Sequence, residues 1–291
     1  MEVFGQVLVL GAITGLVYAL SGAGLVVIYR SSGVINFAHG DIAAVGLYAA
    51  YALSAANVPY WLLALCTVGV SALLGLVIGG LLSLPFTKRW SVLEIGLATI
   101  ALSFIIEGAI TQFIGGEAKS FPSFSTQVVS NIAGVQITAT DVLTLGVGLL
   151  AFFCLGAWFR WSRAGIAMRA VSENGEAASW LGVRTRPLRL ISWTIAGSLA
   201  GLAGLFVAPL YTLSPTSLGT VVLFGFAAVV TGGFESILGA LAAGLAIGIA
   251  TNLTATYLSV SLITPVMFLL MLLTLVLRPN GVFGGRVLER V

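Results

Sequence analysis

Residues 160 to 189 read RWSRAGIAMRAVSENGEAASWLGVRTRPLR, the one long basic stretch of the chain, with six arginines against two glutamates. On both sides the sequence is built for lipid: 59% of the 291 residues are hydrophobic and 8% are charged, where a soluble domain carries about a quarter charged. Apolar runs of 18 or more residues recur, each long enough to span a hydrocarbon core of about 30 Å. These features give an all-α polytopic integral membrane protein. No interval between the runs is long enough for a soluble domain, so residues 1–291 read as a single transmembrane domain. Within the basic stretch, Gly175 to Leu181 reads as one short helix. Asn174 is its N-cap, because a side-chain oxygen there can accept from an otherwise unpaired N–H. Glu176 falls in the first turn, where the helix dipole favours an acid, and Gly182 is the stop that tolerates a left-handed backbone. So short a helix is marginal alone. Its face of Ala177, Trp180 and Leu181 wants a groove in another protein.

Outward from that stretch, the first span is read at about Gln6 to Tyr29, with Gly11, Gly15, Gly22 and Gly24 as close-packing positions. Arg30 ends it. The next apolar run, about Val34 to Ala55, is interrupted by Asn36, His39, Gly40 and Asp41. A lipid-facing helix would not carry that cluster, so a break buried among helices or lining a cavity is expected. The third span runs from about Tyr60 to Leu84 and closes with Pro85, Lys88 and Arg89. The fourth, about Val92 to Ile114, holds Glu94 near its start and Glu107 well inside, where an acid is costly unless it faces the bundle interior. The polar stretch 115–140 reads as a loop, and the fifth span, about Asp141 to Phe159, leads into the basic segment. The sixth, about Leu190 to Leu213, contains a second small-residue surface, Gly197 to Gly204. Beyond Pro215 an apolar piece, 218–230, is too short for a full span and is broken by Thr231, Gly232 and Gly233. Glu235 precedes a seventh stretch, Ser236 to Tyr257, and the last run is Ser261 to Leu277.

All lysines and arginines except Lys119 fall after the first span, between spans three and four, in residues 160–189, and at the C-terminus. By the positive-inside rule those places are cytoplasmic, which puts the N-terminus and loop 115–140 outside. About eight full spans starting outside would leave Arg278, Arg286 and Arg290 outside as well. The conflict disappears if the short piece 218–230 also crosses, thin and buried, so that the C-terminus is cytoplasmic. A cleavable signal peptide is not expected, since the first span lacks a basic leader and is too long.

Chemistry is sparse. One histidine and ten scattered acids give no metal-ligand spacing and no nucleophile with a matched base. No phosphate-binding glycine loop is present. Cys66 and Cys154 read as small buried hydrophobes. The net charge of +3 is the usual cytoplasmic arginine excess and implies no nucleic acid. The chain is therefore read as a pathway rather than an enzyme, with no metal and no cofactor of its own. The interrupted segments at Asn36–Asp41 and at Thr231, Gly232, Gly233 and Glu235 lie in opposite halves of the chain, which points to a transporter's central region. Asp41-Ile42 and Glu235-Ser236-Ile237 each lead into a Gly/Ala-rich helix. His39 and Asp41 are read first as groups that hold the break by bonding each other or the backbone, and second as substrate contacts.

Three motifs carry a resemblance. Glu176-Ala177-Ala178, three residues, then Gly182 fits the EAA…G pattern of permease subunits in bacterial ABC importers, without that pattern's later Ile-x-Leu-Pro element, for which the chain has Ser192-Trp193-Thr194-Ile195. Asn36-Phe37-Ala38-His39-Gly40-Asp41 resembles the N-F-A-H-G-[DE] signature of the branched-chain amino acid importer permeases, the shorter, first-permease type. Arg278-Pro279-x-Gly281-x-Phe283-Gly284 resembles that family's terminus. The resemblance implies a multi-pass permease of the bacterial cytoplasmic (inner) membrane, paired with a second homologous permease. Two ABC ATPase subunits would sit beneath, holding ATP and Mg²⁺, and an extracytoplasmic solute-binding protein would deliver substrate. Glu176, Ala177, Ala178, Trp180, Leu181 and Gly182 would form the coupling helix, flanked by Arg169, Arg184 and Arg186 in a cytoplasmic coupling loop, 160–189. Three readings stay open: an importer of branched-chain or related hydrophobic amino acids, the same machine carrying urea, short amides or another small carboxylate, and a stand-alone secondary transporter or channel.

Overall fold

A computed structural model describes residues 2–83, 90–132, 135–209 and 212–284. Leu84, Pro85, Lys88 and Arg89, which close the expected third span, and Arg286 and Arg290 lie outside the described residues. The chain is a helical bundle: α1 (Glu2–Ser32), α2 (His39–Ser54), α3 (Tyr60–Leu81), α4 (Val92–Ile114), α5 (Ala139–Trp161), α6 (Arg163–Glu173), α7 (Gly175–Trp180), α8 (Thr185–Val207), α9 (Ser217–Gly232), α10 (Ile237–Tyr257) and α11 (Ile263–Leu277). Among the described residues seven helical segments are long and apolar enough to cross a membrane, α11 counting together with the single turn Val260–Leu262 that leads into it, against about eight expected. The difference is α2. The first residues of its apolar run, 34–38, are irregular and end in a turn, so only 16 residues are helical, about 24 Å at 1.5 Å per residue. The helix α9 is equally short.

Loop 115–140 contains structure that its composition did not announce. Strands β1 (Val128–Ile132) and β2 (Val135–Thr138) pair antiparallel, with a register shift between Val128 and Ser130. Lys119 exchanges backbone hydrogen bonds with Leu213, at 2.9 and 2.7 Å, and its ammonium lies 5.3 Å from the centre of the Tyr51 ring. The loop is thereby tied to the ends of α2 and α8. This hairpin end of the bundle lies opposite a basic end, which gathers Arg30, Arg169, Arg184, Arg189 and Arg278. One correction concerns the cysteines: Cys66 is half-buried and packs against the core, but Cys154 is exposed on the outside of its helix.

Small residues set the packing, as they must where lipid tails give helices no hydrophobic reason to associate. At the centre α1 packs on α8, α9 and α10. A Cβ built on Gly15 would lie 2.7 Å from Leu245 Cα, one on Gly244 would strike Ala19, and one on Gly22 would come within 2.9 Å of the Gly225 carbonyl. The same scheme recurs on α8. Gly197 and Gly201 meet Ser71 and Thr67 of α3, and Gly204 meets Ala43 and Leu47 of α2. Thus Gly15, Ala19 and Gly22 stand to α10 and α9 as Gly197, Gly201 and Gly204 stand to α3 and α2.

The correspondence extends to direction. Helices α1 to α4 run hairpin end to basic end, back, forward and back. Helices α8 to α11 trace the same order upside down. Helix order and packing thus relate α1–α4 to α8–α11 as two inverted repeats. They meet at Gly40, where a Cβ would lie 3.0 Å from the Leu218 carbonyl. Each of these residues is the second of its short helix. His39 lies against Gly24 of α1, eight residues before that helix ends, so α2 starts about 12 Å inside the bundle. The chain enters, turns helical at mid-depth and continues; α9 does the same in the opposite sense.

Candidate functional site

Two regions carry the polar chemistry, one at the basic end and one where α2 and α9 begin. At the basic end, Ser162 closes α5 and opens α6, its hydroxyl accepting from the Gly165 N–H at 2.9 Å. Gly165 lies so close to Trp158 and Phe159 that a side chain there would collide with both backbones, and Met168 is fully buried. The helix α6 is therefore pinned to the bundle. Asn174 ends α6 and caps α7, its Oδ1 accepting from the Ala177 N–H at 2.9 Å. At the other end of α7 the Gly182 N–H donates to Ser179 O and the Val183 N–H to Ala178 O, both at 3.0 Å. With Gly182 at φ +85°, this is a Schellman closure. Ala178 faces inward and is buried, whereas Trp180 is 80% and Leu181 86% exposed. Glu176, Arg169, Arg184 and Arg186 are exposed around them, and Ala177 is half-buried. A doubly capped turn thus holds a tryptophan and a leucine in the open, on the most polar segment of the chain.

The second region is a cavity of about 400 Å³ bounded by α1, α2, α4 and α9. Its polar lining is Asn36, Asp41, Ser103, Glu107 and Thr216, and its apolar wall includes Leu25, Phe37, Val222, Leu223 and Phe226. The break before α2 is held by named bonds. Asn36 Oδ1 accepts from the Ala38 N–H at 3.1 Å, and the Phe37 N–H donates to Thr99 Oγ1 at 3.1 Å. Ser103 donates its hydroxyl to Asp41 at 2.5 Å, and the charge of Glu107, one turn further along α4, also acts on Asp41. His39 and Asp41 make no bond to each other. The histidine, 1% exposed, is wedged against Gly24 beside Ala196, facing away from the cavity. The Ser21 carbonyl acts on its ring, but among the described residues neither ring nitrogen makes a well-formed hydrogen bond.

Thr231, Gly232, Gly233 and Glu235 lie elsewhere, at the basic end, where α9 turns into α10. The chain's last described segment closes over this turn: the Val282 N–H donates to Thr231 O at 2.9 Å and the Phe283 N–H to Gly232 O at 3.0 Å. Gly233 has φ +105°, and a Cβ there would lie 2.9 Å from the Gly284 nitrogen. The Arg278–Gly284 motif is thus a clasp on the α9–α10 turn. Phe234 rests on Tyr29 with ring centres 5.0 Å apart, and Glu235 interacts electrostatically with Arg30. The counterpart of the break before α2 is the stretch before α9, and the two acid-led segments paired in the sequence occupy different depths.

Several residues of the break and its cavity escaped the sequence reading: Thr99, which holds the Phe37 N–H, and the cavity-lining Ser103 on α4 and Thr216 and Gly219 at the start of α9. The first two had a visible signal, since Thr99, Ser103 and Glu107 recur at every fourth residue of an otherwise apolar span. Thr216 had none beyond its place after a proline.

The sequence family described as branched-chain amino acid transport system / permease component matches residues 7–277. Among curated proteins, the chain is 28% identical to the high-affinity branched-chain amino acid transport system permease protein LivH of Salmonella typhimurium, over 97% of this chain and 96% of that one. It is 31% identical to the probable branched-chain amino acid transport permease protein LivH of Methanocaldococcus jannaschii, over 91% and 88%. It is also 27% identical to the permease protein BraD of Pseudomonas aeruginosa, over 98% and 97%. Among solved structures, PsaBC from Streptococcus pneumoniae in complex with Fab superposes with a TM-score of 0.50 at 12% identity, over 95% of this chain and 92% of that one. That likeness concerns the fold alone.

Proposed function

Since the chain belongs to the branched-chain amino acid transport permease family and is a multi-pass protein of the cytoplasmic membrane, we propose that it is the pathway subunit of an ATP-driven importer for branched-chain or related hydrophobic amino acids. It pairs with a second homologous permease above two ATPase subunits, which hold ATP and Mg²⁺, and it receives substrate from an extracytoplasmic binding protein. The N-terminus and the hairpin end face outward, and the basic end with the C-terminus faces the cytoplasm. Of the described lysines and arginines, Lys119 alone lies at the hairpin end, in keeping with the positive-inside rule.

The observation that carries the reading is the exposure of Trp180 and Leu181 on a helix capped at both ends and attached to the rigidly seated α6. Large apolar side chains held open in a polar setting are the mark of a docking anchor, and a stand-alone carrier has no use for one. In this reading α7 is the coupling helix, with Glu176, Arg169, Arg184 and Arg186 at its polar rim. Motion of the ATPases acts through α6 on α1, α5 and α8, against which α6 packs. The pathway residues are Asn36, Asp41, Ser103 and Glu107, while His39 and the Thr231–Glu235 turn serve the bundle's integrity.

The test is co-purification from detergent of the full chain expressed with its neighbouring transporter genes. The wild type is expected to bring ATPase activity with it. The double variant Trp180→Ala, Leu181→Ala is expected to purify folded with less than about a tenth of that activity, the loss of two central apolar anchors at about 2 kcal/mol or more each. A double variant that retains the wild-type amount of ATPase refutes α7 as the anchor.

A further inference from the structure

We infer that a second cavity, at the basic end of the bundle, is a binding site for a phosphate-bearing anion, a phospholipid head group or a free phosphate compound.

This cavity holds about 420 Å³ and is walled by the end of α1, the junction of α6 and α7, the start of α8 and the α9–α10 turn. Arg30 and Arg189 line it from two different helices, and Glu235 is the one acid among its lining residues. Each arginine is half-buried, and its Nε is closed to solvent without a hydrogen-bond partner. Among the described residues the outer guanidinium nitrogens make no hydrogen bond or ion pair either, yet they are not among the closed-off atoms. Both guanidinium groups are thus seated at their inner edge and open at their outer edge.

The local charge does not balance. Glu235 acts on Arg30, but Arg169 acts on it too, in the opposite sense. Among the described residues no charged group acts on Arg189. Half-buried cations without counter-charge are costly, and an anion held by both arginines relieves the cost. A guanidinium presents its donors as a planar fork that meets phosphate oxygens two at a time, so two forks on different helices suit a tetrahedral group with several acceptors. Thr185, the first residue of α8, lines the same space. The N-cap Arg184 gives α8 no side-chain acceptor, so its first N–H groups add donors of the same kind.

The position suits a lipid. At 31 residues, about 46 Å, α1 is longer than the hydrocarbon core of about 30 Å, and Arg30 lies in its last turn, at head-group level. In the orientation proposed above this is the cytoplasmic leaflet, which carries the anionic lipids. Val171 and Gly175 wall the cavity from α6 and α7, so an anion held here bridges the segment that carries Trp180 to the bundle.

The full chain, freed of lipid in detergent, is titrated at constant ionic strength with inorganic phosphate, with short-chain phosphatidylglycerol and with a diacylglycerol of the same chains. The rise of the thermal midpoint with concentration gives each apparent affinity. Phosphatidylglycerol is expected to bind at least about tenfold more tightly than the diacylglycerol, which lacks the charge-assisted hydrogen bonds; this comparison needs no variant. Arg189→Gln is expected to remove that advantage. It is preferred to a change at Arg30, whose guanidinium also lies 5.2 Å from the centre of the Phe159 ring. Arg163→Gln, at an exposed arginine outside the cavity, is expected to keep the advantage. Glu235→Gln, which removes the one acid of the lining, is expected to tighten phosphatidylglycerol binding roughly threefold. Inorganic phosphate that binds as tightly as the lipid, with the same dependence on Arg189, makes the occupant a soluble phosphate compound; much weaker phosphate binding makes it the lipid. No ATPase enters the measurement, so failure here leaves the importer reading as it stands. Equal binding of the diacylglycerol, binding indifferent to Arg189, an equal loss in Arg163→Gln, or no binding of either phosphate probe overturns the site.

Discussion

The break before α2 and the turn between α9 and α10 look alike in the sequence. Each interrupts an apolar run with glycine and polar residues, and each presents an acid followed by a small-residue helix. In the structure they do opposite things. The first lies about 12 Å inside the bundle, where helix α4 supplies Thr99, Ser103 and Glu107 and leaves a cavity beside it. The second lies at the basic end and is filled by backbone, with residues 278–284 clasped over Thr231 and Gly232. Depth separates them. A polar interruption inside the bundle must find partners among neighbouring helices or face a cavity, whereas one at the end is simply a turn that needs a lid.

That contrast can be broken in order of effect. Gly233→Val should damage the molecule most. It places a β-branched residue at φ +105° and drives its Cβ against Gly284, which together cost on the order of 1–3 kcal/mol. The expected readout is a lowered thermal midpoint in detergent and early proteolysis of the C-terminal clasp. A midpoint equal to wild type would show that the clasp is not part of the folded core.

Asp41→Asn should do the reverse. Asparagine keeps an oxygen for the Ser103 hydroxyl, so stability should move by no more than about 1 kcal/mol, while amino acid uptake by the assembled transporter falls roughly tenfold or more for want of the charge. Unchanged uptake would remove Asp41 from the pathway. Ser103→Ala should act in the same direction and more weakly, since it deletes one hydroxyl from a half-buried pair worth about 1 kcal/mol and leaves both acids in place. If it reduced uptake more than Asp41→Asn, the hydroxyl rather than the carboxylate would be the substrate contact.

Much of this is legible in the sequence, and what is not is hidden for physical reasons. Hydropathy reports membrane spans because lipid imposes one rule on every exposed position, so the helical class and the short piece at 218–230 were open to view. The caps of α7 were legible too, as Asn174 and Gly182 act within a few residues of themselves. Depth was not, because it depends on which helix stands beside a residue. The start of α9 mirrors that of α2 across Gly40 and Leu218, yet its first turn, 217–220, carries no titratable residue where that of α2 carries His39 and Asp41. The repeat itself left one trace, the matched spacing of Gly15, Ala19 and Gly22 with Gly197, Gly201 and Gly204. Strands β1 and β2 were hidden because a polar, serine- and threonine-rich stretch looks the same whether its backbone pairs or not.

The most direct test of the account is leucine uptake into proteoliposomes that hold either this chain alone or the chain with its partner permease, both ATPases and the binding protein. The account predicts uptake against a gradient only for the full assembly, only with ATP inside the compartment the ATPases face, and its loss in the Trp180→Ala, Leu181→Ala variant. Concentrative uptake by the chain alone, indifferent to ATP and to those two residues, would contradict it and make the protein a stand-alone carrier.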